Sequence, residues 1–322
     1  MKKLIITILL LASSGLYSSE IVYLWNTEII LEDIIDLEFM PNGEEFMLTS
    51  ITDEIQIRDV YTGGIKKLFR DETSLFMKGY FEFTPDSTRV VMGYDGLLQL
   101  IRLEDFERLD FYAFVNDTIE NRFRDLVLDP IKPYVYTIIS GNELTSGNNE
   151  VRSKISIYNY ETMELVSDLT DYIDNEYTAI AISNEGKYLA ALNEGKANLR
   201  VWDLETKELV KLVKLYDDEL EGNNWCEAKD IQFSEFNTDI IYYSGRFVYK
   251  DKSKFRNGLI TYNFKEDTYS NLWLNTIQAG KFMFLDEEKT LLNYNGTNSH
   301  FYDLDSSVIS KKIEMSIEIP FY

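Results

Sequence analysis

The sequence predicts an all-β fold, a β-propeller built from four-stranded antiparallel blades. Two short motifs alternate along the chain, each recurring roughly every fifty residues. In both motifs apolar and polar residues alternate, β-branched and aromatic residues are frequent, and polar turn residues follow at even intervals. Alternation of period two with regular turns is typical of short β-strands, and four such strands per repeat are typical of a propeller blade.

The first motif is a strand that ends in a large apolar residue, followed by a polar turn and a second apolar strand. We name these two strands a and b, in order outward from the axis of the predicted ring. An isolated hairpin cannot bury its apolar face alone, so the repeats are expected to stack around that axis. The motif occurs six times, with its large apolar residue at Phe39, Phe83, Leu128, Ile182, Phe233 and Phe284.

The second motif predicts strands c and d, joined by a polar turn. In the six repeats, the residue that opens this turn is Asp59, Arg102, Asn159, Asp203, Asn263 and Asp303. A seventh copy, with Trp25 and Asn26, lies near the N-terminus without a first motif before it. Seven second motifs favour seven blades, the last formed by this copy and residues 316–322, so that the ring closes through both termini. Six blades is the alternative.

One repeat carries a resemblance to a known family. Residues 199–207, LRVWDLETK, resemble the end of a WD40 repeat, and residues 183–191, SNEGKYLAA, resemble the hairpin before it. The weaker likeness of the other repeats extends over residues 21–314. The Trp-Asp pair occurs once, at Trp202 and Asp203, and the Gly-His pair is absent because His300 is the only histidine. The hydrogen-bonded tetrad of many family members therefore cannot form in its usual composition, and the chain resembles a divergent, bacterial WD40-like propeller.

Residues 1–19 are predicted to be a signal peptide. Lys2 and Lys3 precede an apolar run, and small residues follow it, with cleavage expected after Gly15 or Ser19. The run is too short to cross a bilayer, which takes about 20 apolar residues. The alternative is a buried N-terminal strand. The sequence thus predicts an exported protein, periplasmic or secreted, with residues 20–322 as one propeller domain and no membrane span.

Charge and composition exclude several function classes. The formal net charge is −23, which opposes binding to the phosphates of a nucleic acid. Cys226 is the only cysteine, so no intramolecular disulfide is possible. One histidine and one cysteine leave too few residues for the usual nucleophilic triads, zinc sites or axial haem ligands. The prediction is a binding protein without cofactor or metal. The alternative is a hydrolase or lyase that uses carboxylates around the central channel.

The connections between strands are unequal on the two faces of the predicted ring. Because strands alternate in direction, the a–b and c–d turns lie on one face, and these turns are short. The b–c and d–a connections lie on the other face, and the extra length is found in residues 115–124, 140–153, 216–228 and 245–258. Long loops on a rigid scaffold often carry binding residues, so this face is predicted to bind a protein or peptide. The alternative is insertion tolerated in solvent.

The candidate binding residues come from these four connections. Residues 246–256, RFVYKDKSKFR, combine basic residues with the aromatic residues that often anchor protein interfaces. Residues 216–227 are acidic; they suit a basic partner or a cation, or else fold against the basic hairpin. Outside its complex the protein is expected to be a monomer. The candidates are Arg122, Arg124, Asn148, Asn149, Arg152, Trp225, Arg246, Phe247, Tyr249, Lys250, Phe255 and Arg256.

Overall fold

A computed structural model defines the fold, and every regular element that it describes is a β-strand. The described residues are 4–6, 27–29, 34–40, 42–50, 54–59, 62, 64–70, 79–94, 96–113, 119–143, 151–171, 173–174, 177–193, 198–214, 225–248, 255–273, 281–285, 290–294, 298–303 and 308–314. Within these ranges, no helix has the length and apolar character to cross a membrane.

In the part of the chain that the structure describes, twenty-seven strands form one small sheet and six larger antiparallel sheets. The small sheet pairs β1 (Leu4–Ile6) with β2 (Thr27–Ile29). Sheet 1 contains β3 (Ile34–Phe39), β4 (Glu45–Ser50), β5 (Glu54–Asp59) and β6 (Ile65–Arg70). Sheet 2 contains β7 (Tyr80–Phe83), β8 (Arg89–Tyr94), β9 (Leu97–Arg102) and β10 (Arg108–Ala113). Sheet 3 contains β11 (Ile119–Leu128), β12 (Tyr134–Glu143), β13 (Val151–Asn159) and β14 (Glu164–Asp168), with β15 (Ile173–Asp174) as a fifth strand beside β13.

The remaining three sheets have four strands each. Sheet 4 contains β16 (Tyr177–Ile182), β17 (Tyr188–Asn193), β18 (Asn198–Asp203) and β19 (Leu209–Lys214). Sheet 5 contains β20 (Trp225–Phe233), β21 (Ile240–Val248), β22 (Phe255–Asn263) and β23 (Thr268–Trp273). Sheet 6 contains β24 (Lys281–Leu285), β25 (Thr290–Tyr294), β26 (Asn298–Asp303) and β27 (Val308–Glu314).

The predicted strand order a, b, c, d is confirmed in all six sheets. Each strand pairs antiparallel with the next strand along the chain, and the two motifs of each repeat form one sheet. Strands a of consecutive sheets also contact each other, from β3 through β7, β11, β16 and β20 to β24. The sheets therefore stand side by side in chain order, as the blades of a propeller do.

The apolar core fills the interfaces between consecutive sheets. Met47 and Phe81 belong to the cluster between sheets 1 and 2, and further clusters join sheets 2 and 3, 3 and 4, and 4 and 5. Tyr177 and Trp202 of sheet 4 pack on sheet 3, with their ring centroids 6.2 Å apart. Complete burial of an aliphatic or aromatic side chain stabilises the folded state by about 1.5–3 kcal/mol, so each sheet is held mainly by its neighbours.

The c–d turns explain the recurring Asp or Asn of the second motif. The Oδ1 atoms of Asn159, Asp203 and Asn263 each accept hydrogen bonds from the backbone N–H groups two and three residues later, at 2.9–3.3 Å. This is an Asx-turn, which short polar side chains favour. In sheet 2 the position is Arg102, and its guanidinium pairs with both carboxylate oxygens of Asp105 at 2.9 Å. The second motif is therefore a turn signal.

The a–b turns are closed by buried polar residues directly after the large apolar residue of the first motif. Thr84, Asp129, Ser183 and Ser234 are all buried. Ser183 Oγ accepts hydrogen bonds from the N–H groups of Lys187 and Tyr188 at 3.1 and 3.0 Å. Asp129 Oδ1 accepts in the same way from the N–H groups of Ile131 and Lys132, both at 2.9 Å. These side chains satisfy backbone donors that the turn would otherwise leave unpaired.

In sheets 1, 3 and 5, an aspartate of strand a joins the sheet to the one that follows it along the chain. Sequence reasoning missed this contact. Asp36 in sheet 1, Asp125 in sheet 3 and Asp230 in sheet 5 lie three residues before the end of strand a, next to a β-bulge. Their carboxylates accept hydrogen bonds from the N–H groups of Phe81, Ile180 and Phe282 in the next sheet, at 3.2, 3.0 and 2.9 Å. The only signal in the sequence is an aspartate at the same position of repeats 1, 3 and 5.

The N-terminal region contains a strand where the signal peptide is predicted. Residues Leu4–Ile6 pair antiparallel with Thr27–Ile29, which matches the alternative of an N-terminal strand. Cleavage after Gly15 or Ser19 stays a prediction. The predicted seventh blade also stays a prediction, because Trp25 and residues 316–322 lie outside the described residues.

Candidate binding site

Sheets 3 and 5 extend beyond sheet 4 at the end where the b–c and d–a connections lie. The inner strands β11, β16 and β20 have 10, 6 and 9 residues, and all three end at the large apolar residue of their repeat. The additional residues are therefore all at the beginning of the strand. At about 3.3 Å per residue, sheets 3 and 5 project roughly 10–13 Å farther than sheet 4. We call this end of sheets 3, 4 and 5 the trough.

Much of the predicted loop length is strand, and in this respect the sequence prediction is wrong. Residues 119–124 belong to β11, and residues 140–143 and 151–153 extend β12 and β13. In sheet 5, residues 225–228, 245–248 and 255–258 are likewise paired strand. Continued antiparallel pairing satisfies the backbone groups of these segments, which a loop would leave to water. The projections are therefore ordered hairpins and not irregular loops.

The sheet 3 side of the trough carries three of the predicted arginines. Arg122 in β11 lies opposite Ser140, and its side chain is exposed. Arg152 in β13 lies opposite Gly141 on one side and Asp174 on the other, and it is half-buried. Arg124 is half-buried two residues farther along β11. Arg122 shares its cross-strand row with Ser153, which contacts sheet 4, whereas Arg152 lies in the next row and therefore on the opposite face of the sheet.

In sheet 5, five of the predicted binding residues lie in the three cross-strand rows nearest the trough. In these rows Trp225 and Phe255 flank Val248, Cys226 and Arg256 flank Phe247, and Glu227 and Asn257 flank Arg246. The other four candidates, Asn148, Asn149, Tyr249 and Lys250, lie outside the described residues.

The end of sheet 4, which we call the floor, has Tyr177, Asn193 and Asn198 in one cross-strand row, and Tyr177 and Asn193 are buried on the face that packs against sheet 3. Arg200 Nη1 donates a hydrogen bond to the hydroxyl of Tyr177 at 2.7 Å, and its guanidinium carbon lies 5.7 Å from the ring centroid. Tyr177 N–H donates to Ser153 Oγ of sheet 3 at 2.8 Å. Burial raises the pKa of Tyr177, and Arg200 partly opposes this effect. The hydroxyl is therefore neutral at physiological pH and holds Arg200 in place.

Asn193 is the residue of the floor that sequence reasoning missed. Its side chain is 1% exposed, and neither Oδ1 nor Nδ2 has a hydrogen-bond partner. The buried Nε of Arg200 also lacks one. A buried polar group without a partner costs about 1–3 kcal/mol, so native structures rarely keep one without a reason. In the sequence, Asn193 looks like an ordinary turn residue at the end of strand b.

Arginines are concentrated around the trough. The chain contains eleven arginines. Six of them belong to this part of sheets 3, 4 and 5, namely Arg122, Arg124, Arg152, Arg200, Arg246 and Arg256. Acidic residues lie in the same extended strands, namely Glu120, Glu143, Asp174 and Glu227, so this end of the sheets carries charges of both signs.

Two further findings bear on function. Within the described ranges, no group of three or more His, Cys, Asp or Glu side chains is placed to hold a metal ion. Comparison of the chain with protein-family models found no match, and comparison with curated proteins found none either. The resemblance to WD40 repeats therefore rests on the residues of the fourth repeat.

Proposed function

We propose that this protein is an exported, WD40-like propeller scaffold that binds a protein or peptide partner in the trough. The observation that carries the proposal is the extension of sheets 3 and 5, at the same end, on both sides of the shorter sheet 4. Paired strands hold this surface in shape before the partner arrives, and a preorganised surface lowers the entropy cost of binding.

Burial of sheet 1 supports a closed ring. Met47 and Ile57 face sheet 2, so period-two alternation turns Phe46 and Gln56 to the opposite face. On that opposite face Phe46 and Leu48 are 0% exposed, and Gln56 and Arg58 are 4% exposed. Another part of the chain must cover them, which is the arrangement of a ring without a free end. Seven blades is the count that the repeats favour.

Export is the second part of the proposal, and it is tested by the mature N-terminus. We expect the protein recovered from the periplasm or medium to begin after Gly15 or Ser19. Intact-mass measurement and N-terminal sequencing of that fraction give the answer. A recovered chain that still begins at Met1 would contradict the signal peptide and favour the paired N-terminal strand.

Charge reversal at the two ends of sheet 3 tests the binding face. Arg122 lies on the trough side, and the exposed Lys132 lies in the a–b turn at the opposite end of the same sheet. We expect a crosslinked partner captured from the exporting cell envelope to be lost with Arg122→Glu and retained with Lys132→Glu. The reverse pattern, loss with Lys132→Glu alone, would place binding on the short-turn face and refute the proposal.

A further inference from the structure

We propose that the propeller moves as two-sheet units, and that the trough changes its width by movement at the boundary between sheet 4 and sheet 5. Sheets 1 and 2 form the first unit, sheets 3 and 4 the second, and sheets 5 and 6 the third. The inference goes beyond the proposed function, because it concerns the free protein and needs no partner. It is carried by the aspartates that join sheets 1, 3 and 5 to the sheets after them.

Each of these aspartates binds the backbone of strand a in the next sheet, and in sheet 3 the same carboxylate also binds its own strand. Asp125 Oδ1 accepts a hydrogen bond from Leu126 N–H of its own strand at 3.0 Å, and Oδ2 accepts one from Ile180 N–H of sheet 4, also at 3.0 Å. Leu126 and Ile180 both lie two residues before the large apolar residue of their repeats. The two oxygens of one carboxylate therefore hold equivalent N–H groups in two neighbouring strands.

Asp230 repeats this arrangement in sheets 5 and 6. Its Oδ1 accepts a hydrogen bond from Ile231 N–H, and its Oδ2 accepts one from Phe282 N–H of sheet 6, both at 2.9 Å. Ile231 is the counterpart of Leu126, so its N–H group is satisfied from within sheet 5 and not from sheet 4. One carboxylate serves two sheets, which explains why the aspartate recurs in every second repeat.

A second side chain strengthens the contact inside each unit. In sheet 3 it is Ser153, whose hydroxyl binds the backbone of strand a in sheet 4. In sheet 1, Thr49 Oγ1 donates a hydrogen bond to Gly79 O, directly before strand a of sheet 2, at 2.9 Å. In sheet 5, Gln232 Nε2 donates one to Phe282 O at 2.7 Å. Hydrogen bonds are directional, so these contacts fix the two sheets of a unit in one relative position.

The sequence rules out both contacts of sheet 3 at the boundary between sheets 4 and 5. Counted from the large apolar residue of the first motif, the position of Asp125 is Ala179 in sheet 4. Counted from the residue that opens the c–d turn, the position of Ser153 is Ala197. An alanine side chain has no group that donates or accepts a hydrogen bond. In sheet 2, Tyr80 takes the position of the aspartate, so the first two units are separated in the same way.

Apolar packing fills the boundary between sheets 4 and 5. Ala179, Ala181 and Ala190 of sheet 4 belong to one buried cluster with Ile231 and Phe233 of sheet 5. Apolar contact is non-directional, and packed elements can slide over one another by small shear movements. The small alanine side chains present little relief that would resist such a movement. This boundary therefore holds the two units together without fixing one orientation.

Polar contacts join sheets 4 and 5 at the short-turn end. Asn184 Nδ2 donates a hydrogen bond to the backbone oxygen of Glu235 at 3.4 Å, and Lys265 Nζ donates one to the hydroxyl of Tyr188 at 3.0 Å. Because these contacts keep the short-turn ends together, a rotation of sheet 5 moves mainly its opposite end. The long strands of sheet 5 amplify the displacement, so the trough widens and narrows.

Distances between spin labels, measured by pulsed EPR, test the inference on the full chain with Cys226→Ser. The labels are attached through Val166→Cys, Val210→Cys and Ser270→Cys, at exposed positions on the outer strands of sheets 3, 4 and 5. The pair 166 and 210 lies within one unit, and the pair 210 and 270 spans the boundary. We expect the distance distribution of the second pair to be about twice as broad as that of the first. Equal widths would overturn the inference.

Asp125→Asn tests whether the carboxylate fixes sheet 3 to sheet 4. The amide keeps one acceptor oxygen but turns an NH₂ group toward the other N–H, so it releases one of the two strands at nearly constant volume. We expect the distribution of the pair 166 and 210 to broaden to the width seen across the boundary. Asp110→Asn is the matched control, since Asp110 Oδ1 also accepts from the N–H that follows it, at 2.8 Å, but lies on the exposed strand β10.

The control should leave the distribution of the pair 166 and 210 unchanged. An unchanged width in folded Asp125→Asn would show that packing alone joins sheets 3 and 4, and it would overturn the two-sheet units. If Asp125→Asn does not fold, the comparison of the two label pairs in the chain with Asp125 intact still decides the inference. The charge reversal at Arg122 tests the proposed function independently of these distances.

Discussion

The two ends of the sheets follow different rules. At the short-turn end, sheets 1 to 5 finish strand a at the large apolar residue of the first motif, and polar side chains close the turns. At the opposite end, strand a begins anywhere from three residues before that position, in sheet 2, to nine residues before it, in sheet 3. The uniform end is built from contacts between residues close in sequence. At the variable end, the length of strand a differs from sheet to sheet.

Backbone angles show how uniform the short-turn end is. Phe106, Met163, Lys207 and Asp267 all have positive φ, between 51° and 59°, and each lies four residues after the residue that opens its c–d turn. Non-glycine residues adopt this conformation only where the surrounding structure compensates its cost. In sheets 3, 4 and 5 the Asx-turn hydrogen bonds compensate it, and in sheet 2 the pair of Arg102 with Asp105 does so. The comparison teaches that the short-turn end repeats the same local structure from sheet to sheet, whereas the variation lies at the other end.

A substitution in an a–b turn should have the largest effect on stability. Gly186 has a φ of +63°, and a Cβ there would lie 2.9 Å from Oδ1 of the buried Asp129 in sheet 3. Gly43 has a similar φ of +67° but open space around it. We expect Gly186→Ala to lower the free energy of unfolding by about 2–3 kcal/mol and Gly43→Ala by about 1 kcal/mol, as measured by urea denaturation. Equal losses of unfolding free energy in the two variants would show that the contact with Asp129 of sheet 3 does not restrict residue 186.

Replacement of the aspartate that joins sheets 3 and 4 should cause the second-largest loss of stability. Asp125→Ala removes the acceptor for Ile180 N–H, and a hydrogen bond to a charged group contributes about 1.5–3 kcal/mol. We expect a loss near 2 kcal/mol in the unfolding free energy. Asp110→Ala, on the exposed outer strand β10, is the control and should cost under about 0.5 kcal/mol. If the two variants lost the same amount, Asp125 would not join the sheets.

The a–b turn of sheet 2 should show a smaller effect, seen as a change in how the stability of the protein depends on pH. The hydroxyl of Thr84 donates a hydrogen bond of 2.6 Å to Asp86 and lowers the pKa of that carboxyl to about 2. Since the pKa is depressed in the folded state, Asp86 contributes stability above the ordinary value of 3.8, and this contribution is lost as pH falls toward 2. Thr84→Val should raise the pKa toward 3.8, as measured by NMR titration of the Asp86 carboxyl. An unchanged pKa would assign the shift to the backbone N–H of Thr88 or to Arg89.

The smallest effect on stability should come from the trough itself. Arg122 is exposed, and surface substitutions away from caps and cores usually change stability by less than about 0.5 kcal/mol. We therefore expect Arg122→Glu to unfold at the same urea concentration as the wild type, although it loses the partner. A loss above about 1 kcal/mol would mean that the extended part of sheet 3 stabilises the fold, and the division between the two ends would fail.

Some errors of sequence reasoning have a clear physical cause. Residues 140–153 supply the extra length of the third repeat, which predicts a loop, and they contain Gly141, Asn142 and Gly147, which favour turns. Pairing with β11 and β13 outweighs those local preferences at both ends of the segment. Asn193 was missed for the opposite reason. Asn193 stands out because neighbouring strands bury it and because its Oδ1 and Nδ2 atoms lack hydrogen-bond partners. Neither property can be recognised from the sequence.

The sequence by itself determined the all-β class, the six repeats, the order of strands within each sheet and the positions of the short turns. These features follow from period-two alternation and from turn residues a few positions apart, both of which act locally. Only the tertiary structure decided how far sheets 3 and 5 extend, which sheets an aspartate joins, and that Asn193 and Arg200 lie together on the floor of the trough. Such features depend on residues up to 55 positions apart, as between Asp125 and Ile180, and only packing brings those residues together.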